Sequence, residues 1–303
     1  MVKDFQALDM DAGERQTFPS IGRCIYCGAS GVKLTDEHVI PFALVGNTVL
    51  FKKAVCERCR KVTHAYEERV LREMFGNLRV QLDAPTRRPN ERVYTLHHTF
   101  RLLDAAGRVI GERVIQRTWD NSPVACPSWH APEPGYLHGH AKTSTIAGRE
   151  WAYLGPTGRP FVKAAAAEIG HSGPIAYRVG NVLPEDYLRF IAKVTHAYAV
   201  ALFGYDAFEH WLAPIILCED DAISYLVGGH PKVAPPVPGG SAFKIDFGHP
   251  VDGMGVLLAQ VRLFEFLGTP EHLVVVGKAP AEELPRRLPL DAHGRPQQPE
   301  RKS

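Results

Sequence analysis

Two Cys-x-x-Cys pairs, Cys24/Cys27 and Cys56/Cys59, enclose 28 residues of this chain. Four thiolates in two tight pairs suit the tetrahedral preference of zinc, because each short turn supplies two adjacent corners. Six cysteines among 303 residues are too sparse for a disulfide scaffold, so in a reducing compartment the pairs read first as metal ligands. A redox dithiol is the alternative, although neither pair opens a helix in a βαβ unit. The interval exceeds that of a minimal zinc ribbon, so a structured insert lies between the knuckles.

The insert contains Leu34-Thr-Asp-Glu-His-Val-Ile-Pro41. Here two acids precede a histidine in a run held by Leu34, Val39, Ile40 and Phe42. The apolar flanks anchor the backbone to a core, and Gly46-Asn47 supplies a turn signal before a second strand at 48–51. A helical pattern follows from about Glu57 to Phe75, with Gly76 placed to end it. A strand displaying Glu37 and His38 beside that helix could converge several polar groups.

CIYCGASGVKLTDEHVIP followed by AVCERCRK resembles the HNH nuclease family over roughly residues 21–80. The closest pattern is the zinc-knuckle subgroup with two CxxC pairs and an EHxxP segment. The resemblance implies an α+β protein whose N-terminal ββα-metal HNH module (21–84) carries a four-Cys zinc knuckle of Cys24, Cys27, Cys56 and Cys59. It implies that His38 is the general base that deprotonates water, and that Glu37 ligates a catalytic divalent ion such as Mg2+. Imidazole chemistry suits the first role, and a cation on the scissile phosphate suits the second. The helix-borne ligand of the family follows the last cysteine, where this chain has Arg60, which cannot bind metal. His64, four residues on, points nearly the same way and is expected to take that role, with Glu67 as a weaker substitute. The family's middle asparagine falls where this chain has Phe51-Lys52-Lys53. The expected activity is metal-dependent hydrolysis of DNA phosphodiester bonds; the alternative is a zinc-stabilised nucleic-acid-binding module without catalysis.

Charge adds a partner. The net charge is only +2, yet residues 52–101 hold twelve Lys/Arg against six Asp/Glu, which leaves the rest of the chain acidic. Arg58, Lys61, Arg69 and Arg72 lie within about 80° of one another on the helix, at about 100° per residue. Such a stripe could grip DNA phosphates without reading sequence.

The rest of the chain organises around weaker signals. Residues 1–20 are polar, with neither a signal peptide nor a transit sequence, and read as a disordered leader. Pro85 and Pro89 mark a linker to a larger α+β domain (85–277) of unassigned role. Residues 94–116 alternate as a hairpin, and 121–184 read as short strands and loops. An amphipathic helix spans 185–203, closed by Gly204. Two strands follow at 256–266 and 272–276, and the Pro-, Arg- and Gln-rich segment 278–303 reads as disordered. The hexapeptide KVTHAY occurs at 61–66 and 193–198 with unrelated flanks, a coincidence rather than a repeat. Cys126, His130, His138 and His140 are too irregular to organise a second metal site, and Cys218 reads as a small buried residue. No apolar run reaches membrane length, so the protein is expected to be cytoplasmic.

Overall fold

The computed structural model describes residues 2–9, 16–44, 49–86, 90, 93–250 and 254–279. The chain is α+β. In order it forms β1 (Val2–Asp9), β2 (Gln16–Phe18), β3 (Leu34–His38), β4 (Val49–Cys56), α1 (Glu57–Arg69) and α2 (Gly76–Gln81). The hairpin β5 (Thr95–Leu103) and β6 (Val109–Thr118) follows, then β7 (Ala125–His130), β8 (Arg149–Leu154), α3 (Gly158–Ile169) and β9 (Ile175–Arg178). The long helix α4 (Pro184–Phe203) leads to α5 (Ala213–Ile216), α6 (Ile223–Leu226), β10 (Phe243–Pro250), β11 (Val256–Leu263) and β12 (Glu271–Lys278).

Among the described residues four sheets result: β1-β10-β11-β12, β2-β4-β3, β6-β5-β9 and the pair β7-β8. All pairings are antiparallel except β2 with β4. Residues 2–9, read as a disordered leader, form the edge strand beside β10. The turn signal at Gly46-Asn47 and the tail beyond 279 lie outside the described residues.

The helix over 57–75 does not stop at Gly76. Five residues, Val70–Met74, form a π-helical turn, and the chain then enters α2 at Gly76. The wide turn brings Val70, Met74 and Phe75 into the core together, so burial overrides the stop that a glycine offers. Helix α3 was not legible as one. Its AAAA run gives strong helix propensity, but only Phe161, Val162, Ala165 and Ile169 meet the sheet, in a small separate core with Phe100 and Ile115.

Helix α4 is the axis of the molecule. Every residue from Tyr187 to Val200 is buried, so this is a central helix rather than a one-faced one. The main core runs continuously from Cys24 through α4 to Ala279. Polar side chains on a helix buried all round must find partners inside. Thr195 Oγ1 donates back to the Ile191 carbonyl at 2.7 Å, and Arg189 donates to the carbonyls of Ile215 and Asp220. Lys193 and His196 reach towards the N-terminal hairpin.

Candidate metal centre and the buried Glu37–Lys193–Glu67 cluster

The four cysteines meet where the sequence spacing placed them. Cys24 and Cys27 sit on a turn closed by Gly28 N to Cys24 O at 2.9 Å, with Gly28 at φ +71°. Cys56 ends β4 and Cys59 lies in the first turn of α1. The four sulfurs lie within 4.8 Å of one another, and all four are free thiols. Cys27 Sγ and Cys56 Sγ are 3.7 Å apart. A tetrahedron with Zn–S bonds of about 2.3 Å has edges of about 3.8 Å, so the set fits zinc. Hydrogen bonding from Cys59 pulls the Cys24 thiol far down, to about 4, against the opposing effect of burial. Four thiolates packed this closely would require a cation at their centre. These cysteines could hold a metal such as zinc.

The two acids before His38 do different work. Between Thr35 and Glu37 the β3–β4 register shifts, with Thr35 opposite Val55 and Glu37 opposite Phe51. The slack lies in Lys52–Ala54, where Lys53 takes φ +42°. Asp36 clamps this bulge: its Oδ1 accepts the Lys53 amide at 3.0 Å and its Oδ2 accepts Lys52 Nζ at 2.7 Å. These contacts, Lys52 first, hold the Asp36 carboxyl below the usual carboxylate range. Glu37 turns inward and is 6% exposed.

Inside, Glu37 meets an ammonium. Lys193 Nζ, on α4, pairs with Glu37 Oε1 and, at 2.7 Å, with Glu67 Oε1 of α1. It also donates to the His38 carbonyl at 3.1 Å. Tyr26 Oη donates to Glu37 Oε1 at 3.2 Å. Burial alone would pull the Lys193 amine down, but the two carboxylates outweigh it and hold the amine firmly protonated. Burial pushes the Glu67 carboxyl up, against the pull of Lys193. Three elements, β3, α1 and α4, are therefore pinned at one point. The adjoining His196 Nε2 lies 2.8 Å from the Ile25 carbonyl inside the first knuckle.

His64 stands elsewhere. Its side chain is 62% exposed, with Glu68 as its nearest acid at 3.9 Å. Among the described residues the four cysteines are the one group of three or more His, Cys, Asp or Glu close enough to hold a metal. Glu37, His38 and His64 do not gather into a second such group.

The basic stripe is paired along its length. Arg69 makes two bonds of 2.6 Å to Asp186 at the start of α4. Arg72 pairs with Glu68 at 2.7 Å, Arg58 with Glu219 at 3.4 Å and Lys61 with Glu57 at 3.9 Å. The side chains of Arg58, Lys61 and Arg72 nevertheless stay at least 70% exposed. Asp186 is mostly covered, so Arg69 acts as a strut between α1 and α4.

Lys193 is the residue that sequence reasoning missed. Its signal was the second KVTHAY, which sets a lysine and a histidine in an otherwise apolar helix. Cys218, read as a small buried residue, is exposed, because a left-handed backbone at φ +57° ends the short turn after α5 and points it outward.

No family model, curated protein or solved structure matches this chain. No helix among the described residues is long and apolar enough to cross a membrane.

Proposed function

We propose that the N-terminal module is a zinc-stapled nucleic-acid-binding fold that does not cut its target. The observation that supports this most is the Lys193 ammonium seated on Glu37. A divalent ion on that carboxylate would sit against a fixed positive charge that is 1% exposed and cannot swing into water. The cation requirement of Glu37 is met by an amine, and an amine enclosed in the core can neither polarise a phosphate nor activate water. DNA binding is supported by Arg58, Lys61 and Arg72, whose partners are surface carboxylates. Such exposed pairs are worth about 0–1 kcal/mol, so phosphates can compete for the same side chains.

The second reading is the metal-dependent endonuclease, with His38 as base and Glu37 and His64 on a Mg2+ ion. The position of Glu37-His38 on a hairpin directly ahead of α1 favours it. It requires Glu37 to exchange Lys193 for the metal.

Supercoiled plasmid with Mg2+ or Mn2+ decides between the two. The expected outcome is a salt-dependent mobility shift with no nicking above the background of a His38→Ala control. Nicking by the wild type that His38→Ala removes would establish the endonuclease. Replacing Arg58, Lys61 and Arg72 together with alanine should flatten the slope of log affinity against log salt by about 2–3. An unchanged slope would move the DNA contact off this helix.

A further inference from the structure

The antiparallel pair β7–β8 is joined by residues 131–148, eighteen residues where a hairpin needs about two to five. Loops this long inside a compact domain are usually functional, and this one is pinned throughout. Trp129 Nε1 donates to the Ala147 carbonyl at 2.9 Å, the Ala147 amide to Ser224 Oγ at 3.0 Å, and the His140 amide to the Gly135 carbonyl at 3.0 Å. With α6 it walls a cleft of about 570 Å³, within the range of small-molecule sites, about 300–1,000 Å³.

The walls are largely apolar, formed by Pro132, Pro231, Ala141, Ala147 and the ring of Tyr225. Tyr225 is held in place by Tyr136, edge to face at 5.7 Å, which is backed by Trp211 at 5.1 Å. The polar groups facing this space share one character. Glu133 is already taken by His138 Nε2 at 2.8 Å. Asp220, just outside the lining, is taken by Lys142 at 3.4 Å and by the Ala222 amide. What remains can donate. His140 lies beside His138, ring centroids 5.6 Å apart. Just outside the lining, the Lys142 ammonium that pairs with Asp220 hangs over Tyr225 at 5.5 Å and keeps further hydrogens to give. Ser224 Oγ uses its oxygen on the Ala147 amide and keeps its hydrogen to give.

We infer that this cleft binds a small anion with a flat aromatic body, of mononucleotide size. The phosphate meets His140 and Lys142 at the rim, and the base lies between Tyr225 and the proline walls. An aromatic body fits because Tyr225 and the prolines offer flat faces. An anion fits because the nearby carboxylates are committed while cationic and hydroxyl donors converge. The site is separate from the zinc knuckle and from the α1 stripe, so it stands or falls apart from the nucleic-acid reading.

The test is titration of the full-length, zinc-replete protein with 5′-AMP, followed by isothermal calorimetry and by amide shifts of residues 131–148. Saturable binding below about 1 mM is expected, with adenosine alone at least tenfold weaker. Lys142→Met and His140→Ala, both on exposed side chains, should each weaken AMP at least fivefold with the melting temperature unchanged. Absence of shifts in this loop at 10-fold higher AMP, equal binding of adenosine, or wild-type affinity in both variants would overturn the proposal. Competition by a 5′-phosphorylated oligonucleotide would make the occupant a strand end; failure to compete would make it the free nucleotide. Either result presupposes AMP in the cleft.

Discussion

An ammonium enclosed with two carboxylates leaves a surplus of one negative charge if all three are ionised, and desolvation makes that expensive. Burial raises the Glu67 carboxyl, which eases the surplus. The consequences for substitution are asymmetric. Lys193→Met strands two buried carboxylates and should destabilise the fold by about 3–5 kcal/mol. Glu67→Gln removes the surplus charge yet keeps a hydrogen-bonding partner, and should change stability by about 1 kcal/mol or less. Urea denaturation monitored at pH 7 reads both, and a loss for Glu67→Gln as large as that for Lys193→Met would show that all three charges are needed. The cluster was half legible. Glu37 stood out because two acids before a histidine in an apolar run demand a reason. Lys193 did not, because its partners lie 126 and more residues away and helical periodicity reports only that a position faces inward.

At the scale of elements, the hairpin β3–β4 depends on a bulge that no periodicity reveals. Asp36, read together with Glu37 as part of one acidic cluster, instead caps the Lys53 amide at a left-handed backbone position. The zinc knuckles were legible since C-x-x-C turns are local and their ligands few; the register that carries Cys56 to Cys24 was not. Asp36→Ala should cost about 1 kcal/mol through the lost amide bond and weaken zinc retention, because Cys56 lies three residues beyond Lys53. Zinc release to a chromophoric chelator would proceed faster in the variant than in the wild type, and equal rates would mean that the bulge is set by the strands alone. The wild type itself should contain one zinc per chain by elemental analysis, and Cys56→Ser should lose it along with the fold of the hairpin. The long helix α4 was legible in its bounds but not in its burial. Its apolar stripe was easy to see, whereas Arg189, Lys193 and His196 read as a polar face until their internal partners are known.

At the scale of the molecule, the continuous core makes pH a test of how buried histidines are held. His272 lies inside the main core, with Nε2 3.0 Å from Tyr187 Oη and Nδ1 3.1 Å from the Gly228 carbonyl. His98 is enclosed beside Tyr177 and Ser122, each at 2.8 Å. Burial lowers both to about 4, and it lowers His196 to about 3. The unfolded chain protonates these imidazoles near 6.5, so below that pH it binds more protons than the native state. Stability is therefore lost as pH falls from about 6.5 towards 4, by roughly 3 kcal/mol for each histidine held at about 4. Asp246, raised to about 6 by burial, works in the opposite sense, since the native state takes up its proton first. Glu67 adds to that opposition. Burial lowers His210 as well, and four histidines against two carboxylates leave a net loss in acid. Zinc release would also destabilise the protein at low pH, but a substitution far from the cysteines separates the two effects. His272→Gln should start less stable at pH 7.5 and lose less of that stability between pH 6.5 and 4.5 than the wild type does. Parallel curves from urea midpoints across this window would place the acid sensitivity in the knuckle rather than in the core.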